Sequence, residues 1–377
     1  MVCLTHTKNS EYLTSVTLSD IHLHHPRTPT THIIDNLVTQ VFHNKEAASA
    51  DIMWVSGDLF DRLVTVPDED NLVIIWFINR LLQFCSQHDI ALRVLEGTGS
   101  HDYGQPKVIA EYLKGSKFNV DYRYFSALTI DYDERFDLNV LYIPDELNAD
   151  ASVTWTEVRA LMESKGLSSV DYAIMHGMFE FQLPEHVNST SAHLSTRYES
   201  IVKRHVLIGH HHTHRVEGKI IVPGSFDRLA HGEEQAKGYI LIRDYGTHSK
   251  VKFVENTKAK IYRTINLHGR SLEESIELLD GITASLPRLS AVAIKANAID
   301  GIATAMDVVK SRYPELIWTS SFEREDHKAQ RLEEIETTYN PIRITKENIS
   351  ELLIPRVVGK VSSEKSRLAV ELLEALL

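Results

Sequence analysis

Short apolar runs alternate along this chain with longer stretches in which apolar residues recur every three or four positions. Five of the short runs are rich in Val and Ile and too short for independent helices, which predicts strands: "TSVTLSDIH", "DIMWVSGDLFDR", "IALRVLEGTGSHD", "DYAIMHG" and "HVLIGHHH". Residues 29–45, 70–88, 106–115 and 152–165 read as helices between them, and alternating strands and helices predict an α/β sheet. The five runs also end alike. Asp20 and His22, Asp58 and Asp61, His101 and Asp102, His176, and His210 and His212 each follow an apolar run. In open α/β sheets the carboxyl ends of strands are where ligands sit, so these endings predict one shared site.

After about residue 215 the texture changes. "RVEGKIIVPGSFDR", "GYILIRDYG" and "SKVKFVEN" read as hairpin strands that form a second sheet stacked on the first. From about 262 a compact β-α-β-α-β unit follows. The charged stretch 320–341 reads as a linker, and the tail as two amphipathic helices, with Leu368, Leu372 and Leu376 at four-residue spacing. The expected division is a main domain at 1–258, a small α/β domain at 259–320, a linker at 321–344 and a helical segment at 345–377.

The chain has 377 residues, 43% of them hydrophobic, enough for a sizeable core and more than one domain. No apolar run approaches the length of a membrane span, and the first residues lack a basic-then-apolar secretory signal. Only Cys3 and Cys85 occur, which excludes a cysteine-built zinc site and fits a reducing, cytoplasmic compartment. The net charge of −12 argues against whole-surface attraction to nucleic acid and suits a protein that binds multivalent cations. A local basic patch could still bind DNA, with Arg197, Lys203, Arg204, Arg215 and Arg228 as candidates.

Alternate residues of a strand face the same way, so Asp20 and His22 are expected to share a face. His210 and His212 should likewise point together, with His211 turned away. Taken in order, D-x-H, GD-x-x-D, G-x-H-D, a lone His after a strand and G-H-x-H resemble the motifs of the calcineurin-like metallophosphoesterases. Within that superfamily "GDLFDRLVTVPDE" and the small β-α-β-α-β unit resemble the SbcD-type (Mre-type) DNA repair nucleases.

The resemblance implies a two-sheet α/β sandwich with flanking helices, a small α/β capping domain and C-terminal helices. It also implies two divalent cations, with manganese favoured. Asp20, His22, Asp58 and His212 would hold one cation; Asp58, shared, would hold the second with His176 and His210. His101 would act at the leaving oxygen, its ring oriented by Asp102. DNA would be the substrate, with a homodimeric assembly and an SbcC-type ATPase attached through the C-terminal helices as partners.

One position departs from the family pattern: Ser100 stands where an Asn usually ligates the second metal, which puts that ligand in doubt. Asp61 and Arg62 are expected to form a structural ion pair. His24, His25 and His214 read as solvated loop residues bordering the site. Two other functions remain open, a phosphoesterase for small nucleotides or phosphoproteins and a non-catalytic scaffold that has lost its metals.

Overall fold

The computed structural model of the protein describes residues 7–323, apart from positions 10, 146, 147, 185, 186 and 188. In chain order the strands are β1 (Leu13–Leu18), β2 (Ile52–Ser56), β3 (Ala91–Leu95), β4 (Tyr122–Phe125), β5 (Thr129–Asp133), β6 (Leu138–Ile143), β7 (Val170–His176) and β8 (Val202–Gly209). They continue with β9 (Arg215–Glu217), β10 (Ile220–Val222), β11 (Gly238–Asp244), β12 (Ser249–Glu255), β13 (Tyr262–Asn266), β14 (Ala291–Asn297) and β15 (Ile317–Glu323). They form two six-stranded sheets, β12-β11-β1-β2-β3-β4 and β5-β6-β7-β8-β10-β9, and a three-stranded sheet, β13-β14-β15. In the first sheet β1 to β4 are parallel, and in the second β6, β7, β8 and β10 are parallel.

The expected α/β sandwich is present, but its second sheet is assembled differently from the expectation. The strands after residue 215 divide: β9 and β10 extend the second sheet, while β11 and β12 return to the edge of the first. The body of the second sheet comes from β5 to β8. Of these, β5, like β4 in the first sheet, shows no apolar run because charged and polar residues interrupt "YRYF" and "TIDYD", while β6, "LNVLYI", is apolar at every position but Asn139 and adds a strand to those expected.

Apolar side chains from the facing sheets, among them Trp54, Leu95, Phe136, Tyr142, Tyr172, Leu207 and Ile240, fill the space between them. Helices Asp70–Gln87 and Val108–Gly115 cover the outer face of the first sheet through Ile74, Phe77, Leu81 and Ile109. Helices Ala151–Ser164 and Ser195–Ile201 cover the second through Val158, Met162 and Tyr198. Strands β1, β2, β3 and β7 therefore have both faces buried, which is why their runs read as continuous apolar stretches. The third sheet packs on helices Leu272–Thr283 and Gly301–Arg312 around its own apolar cluster. Its last three described residues, 321–323, continue β15 and do not begin a linker; the rest of that linker and the expected helices at 345–377 lie outside the described residues. No helix among the described residues is long and apolar enough to cross a membrane.

One buried ion cluster ties the two sheets together. Arg93 on β3 is fully buried and its Nη2 lies 2.5 Å from Asp121 Oδ2 and 2.6 Å from Asp133 Oδ2, the latter on β5. Removing one partner leaves a charge in the interior with reduced compensation. Asp133→Ala should cost about 3 kcal/mol of unfolding free energy in urea titration; a cost under about 1 kcal/mol would show that Asp121 alone suffices.

Candidate metal centre

The parallel strands β1, β2, β3, β7 and β8 deliver their carboxyl ends to one rim, and the loops leaving β1 and β2 run side by side. Asp20 N donates to Gly57 O at 3.2 Å, His22 N to Asp58 O at 3.0 Å and Leu23 N to Leu59 O at 2.9 Å. These two loops and the one leaving β8 turn through left-handed backbone at the residues of interest: φ is 49° at Asp20, 52° at His22, 51° at Asp58 and 95° at His210. Non-glycine residues seldom occupy this region, and such strain clusters at functional sites. The strain corrects one expectation. Asp20 and His22 do face the same centre, but through a left-handed turn beyond β1 and not through strand alternation.

The structure brings the donors together as three overlapping groups: Asp20 with His22 and His212, Asp58 with His176 and His210, and His22 with Asp58 and His101. Within each group the ligand atoms lie within 4.8 Å of one another. Asp58 joins them, since its Oδ2 is 3.6 Å from His22 Nε2 and 3.3 Å from His176 Nε2. His210 and His212 serve different groups, while His211 belongs to none.

Close packing at the rim demands small residues. A Cβ on Gly97 would sit 2.1 Å from Asp58 N and 2.2 Å from its Oδ1, and one on Gly57 would sit 2.1 Å from His176 Nδ1. Asp58 Oδ1 accepts from Thr98 N at 2.6 Å. His176 Nδ1 lies 2.8 Å from Ser56 O, which assigns it the proton and leaves Nε2 facing Asp58. Asp20 accepts from His210 N at 3.0 and 3.1 Å and from the Ser19 hydroxyl.

The electrostatics fit multivalent cations. Asp20 and Asp58 are 0% and 2% exposed, yet among the described residues neither has a Lys or Arg at ion-pair distance. Buried carboxylates without basic partners are the kind that coordinate metals. Burial opposes ionising Asp58, but the neighbouring His176 and His22 outweigh it and hold the carboxyl below its usual range. The same pair works on His176, where burial disfavours the charged ring and Asp58, with Asp20 and Asp145 behind it, draws a proton onto it. At His210 burial and the charge of His176 push the pKa down, which favours the neutral ring that ligates metals. Carboxylate oxygens and imidazole nitrogens in this proportion suit manganese, iron or zinc.

Two residues that the motifs did not single out complete the centre. Thr98 Oγ1 lies 3.3 Å from Asp58 Oδ2 and 3.4 Å from His176 Nε2, beside the second group. Ser100, expected there, is exposed. The turn Gly99–Asp102 starts at Thr98 and carries Ser100 away from the cluster. Glu233 Oε1 is 2.8 Å from His212 Nδ1, and its Oε2 is 3.0 Å from Lys237 Nζ. Burial tends to raise Glu233, but the hydrogen bond and charge of His212, with Lys237, hold it down to about 2. Its only trace in the sequence was the i, i+4 spacing of Glu233 and Lys237.

Asp102 is also reassigned. Its carboxylate accepts from Phe60 N at 2.8 Å and Gly97 N at 2.7 Å, clasping the loops after β2 and β3, and burial, followed by the charge of Asp58, raises it to about 7. The ring of His101 is oriented by Asp61, whose carbonyl lies 2.7 Å from Nδ1. Asp61 does pair with Arg62, at 3.4 Å, but its Oδ1 also lies 3.2 Å from His22 Nδ1 without hydrogen-bond alignment. The bordering histidines are half-buried and partnered, not solvated: His24 binds Asp70 at 2.8 Å, His25 accepts from Thr28 N at 3.1 Å, and His214 stacks on Phe253.

The basic candidates do not converge here. Lys203 and Arg204 sit at the opposite end of β8 from His210, roughly 20 Å along the strand, paired with Asp171 and Asp244. Arg228 bonds backbone carbonyls, Arg215 pairs with Glu217 at 2.9 Å, and Arg197 lies over Trp155.

No family model matches the chain, and no curated protein matches it. Solved structures that align with it include TT1561 of Thermus thermophilus, at 13% identity and a TM-score of 0.38 over 64% of this chain and 99% of its own. A second structure aligns over the same shares at 13% identity with a TM-score of 0.40.

The placement of Thr98 gives a direct contrast. Thr98→Val, which replaces the hydroxyl by a methyl of similar size, should raise the manganese concentration for half-saturation about tenfold, the scale of an outer-shell loss. Ser100→Ala should leave it unchanged in the same titration. The reverse outcome would return the ligand role to Ser100.

Proposed function

We propose that the protein is a phosphodiesterase that uses two divalent cations, manganese in preference, and that it is a DNA nuclease of the SbcD type. The observation that carries the reading is the pair of donor groups joined by one buried carboxylate, Asp58. Cations held there would polarise a phosphate and acidify water between them. The chain's own part is to hold Asp20, His22 and His212 on one side and His176, His210 and Thr98 on the other. His101, tethered at Nδ1 by the Asp61 carbonyl, would in its imidazolium form carry a second proton, on Nε2, to give to the leaving oxygen.

Support for DNA as the substrate comes from the order of the motifs and the small third sheet. The homodimer and the SbcC-type ATPase belong to the same resemblance and are proposed with it. A second reading, hydrolysis of small nucleotides, draws support from a cavity of about 430 Å³ beside His210 and from the internal pairing of the basic candidates.

Digestion with manganese separates the readings. Loss of linear duplex or single-stranded DNA supports the nuclease, cleavage of bis(p-nitrophenyl) phosphate alone supports the small-substrate enzyme, and the absence of both hydrolysis and bound cations supports the scaffold that has lost its metals. His101→Ala should lower turnover by about 10²–10⁴-fold, the range of a general acid, with metal content unchanged. Loss of a cation on that change would make His101 a ligand, in keeping with its place beside His22 and Asp58.

A further inference from the structure

The cavity beside His210 is lined by Asp145, Asn148, Gly177, Ser191 and His193 as well as by apolar groups. Its volume of about 430 Å³ falls in the range of roughly 300–1,000 Å³ typical of small-molecule clefts. Asp145 follows β6, so it emerges at the same rim as the metal donors. Among the described residues its buried Oδ2 has no hydrogen-bond partner and no Lys or Arg pairs with it. An unpaired buried acceptor is costly unless a ligand supplies the missing donor.

Across the cavity His193 is fixed from several sides. Its Nδ1 lies 3.0 Å from the Tyr198 hydroxyl, its backbone N donates to Met178 O at 2.8 Å, and its carbonyl accepts from Glu180 N at 3.0 Å. The rings of Tyr198 and Phe179 pack edge-on against it at 5.3 and 6.0 Å. Asp145 Oδ1 and His193 Nε2 meet at Gly177, lying 3.5 and 3.7 Å from the point where a side chain there would begin. A carboxylate acceptor and a ring nitrogen are thus held together beside the residue that follows the donor His176.

The charge of Asp145 decides what can enter. A carboxylate repels a second phosphate, whereas it accepts strongly from N–H groups. Every nucleobase carries an N–H beside an acceptor on its pairing edge, and that edge is free only when the base is unpaired. We infer that this cavity binds one unpaired nucleobase of the substrate, next to the scissile phosphate. Asp145 accepts from the N–H of its pairing edge and His193 Nε2 contacts the neighbouring acceptor. The inference rests on the phosphodiesterase reading for its substrate, and it makes Asp145 a specificity residue that selects unpaired strands.

The test is equilibrium binding of a dinucleoside monophosphate carrying 2-aminopurine to the full chain in EDTA, read by the fluorescence of the base. Asp145→Ala should weaken binding at least about tenfold, the scale of one hydrogen bond to a charged group. Asp145→Asn, which keeps the shape, should weaken it several-fold, and thermal melting confirms that each variant is folded. A dinucleotide with an abasic site in place of 2-aminopurine, added as a competitor of the fluorescent probe, should bind the native chain as weakly as that probe binds Asp145→Ala. Equal binding of the two probes, or unchanged affinity in both variants, overturns the inference, as does a gain in inorganic phosphate binding as the only effect of Asp145→Ala. With manganese present, the ratio of kcat/KM for thymidine 5′-monophosphate p-nitrophenyl ester to that for bis(p-nitrophenyl) phosphate should fall about tenfold in Asp145→Ala. Base binding that depends on Asp145 without any hydrolysis would refute the phosphodiesterase and keep the cavity. Hydrolysis indifferent to Asp145 would do the opposite.

Discussion

A single carboxylate, Asp58, sets the arrangement of the rim. Its Oδ2 stands between His22 Nε2 at 3.6 Å and His176 Nε2 at 3.3 Å, while Oδ1 is pinned by Thr98 N at 2.6 Å. To reach that point the chain turns left-handed at Asp58, and a Cβ at Gly97 would collide with it. The Asp102 carboxylate then clasps the two loops that converge there, through Phe60 N and Gly97 N. Strain at Asp20, His22 and Asp58 is tolerable because the β1 and β2 loops hydrogen-bond to each other along the turn. The two-sheet core supplies the rigidity, burying Trp54 and Leu95 directly beneath the strands that end at the site.

The same geometry explains the electrostatics. Two nearly inaccessible carboxylates with no Lys or Arg among the described residues at ion-pair distance leave a negative field, which draws a proton onto His176 and favours a charged His212. At His212 burial opposes the charge, and Glu233 with Asp20 overcomes it. Divalent cations would replace such protons, so metal binding and proton release are coupled here.

Much of this was legible in the sequence because buried parallel strands are written as unbroken apolar runs, and "IMWV", "AIM" and "VLIG" each stop just short of a metal-type residue. The grouping of Asp20, His22 and His212, and of Asp58, His176 and His210, follows from the resemblance, and the fold brings each set together. What stayed hidden was local conformation. The turn Gly99–Asp102 sends Ser100 outward and leaves Thr98 at the centre, and neighbours in sequence, His101 and Asp102, turn to different partners. Glu233 comes from a loop whose proximity to His212 only tertiary folding creates. Strands β4 and β5 are hidden because their ion-paired residues, Arg123, Asp131 and Asp133 among them, break the apolar pattern.

The measurement that bears most directly on the shared carboxylate is the manganese content of the purified chain after equilibration and desalting, determined alongside Asp58→Asn. Two ions per native chain, with at least one lost in a variant whose melting temperature in EDTA is unchanged, is the predicted result. Two ions retained by Asp58→Asn, or fewer than two in the native chain at saturation, would contradict a bridged pair.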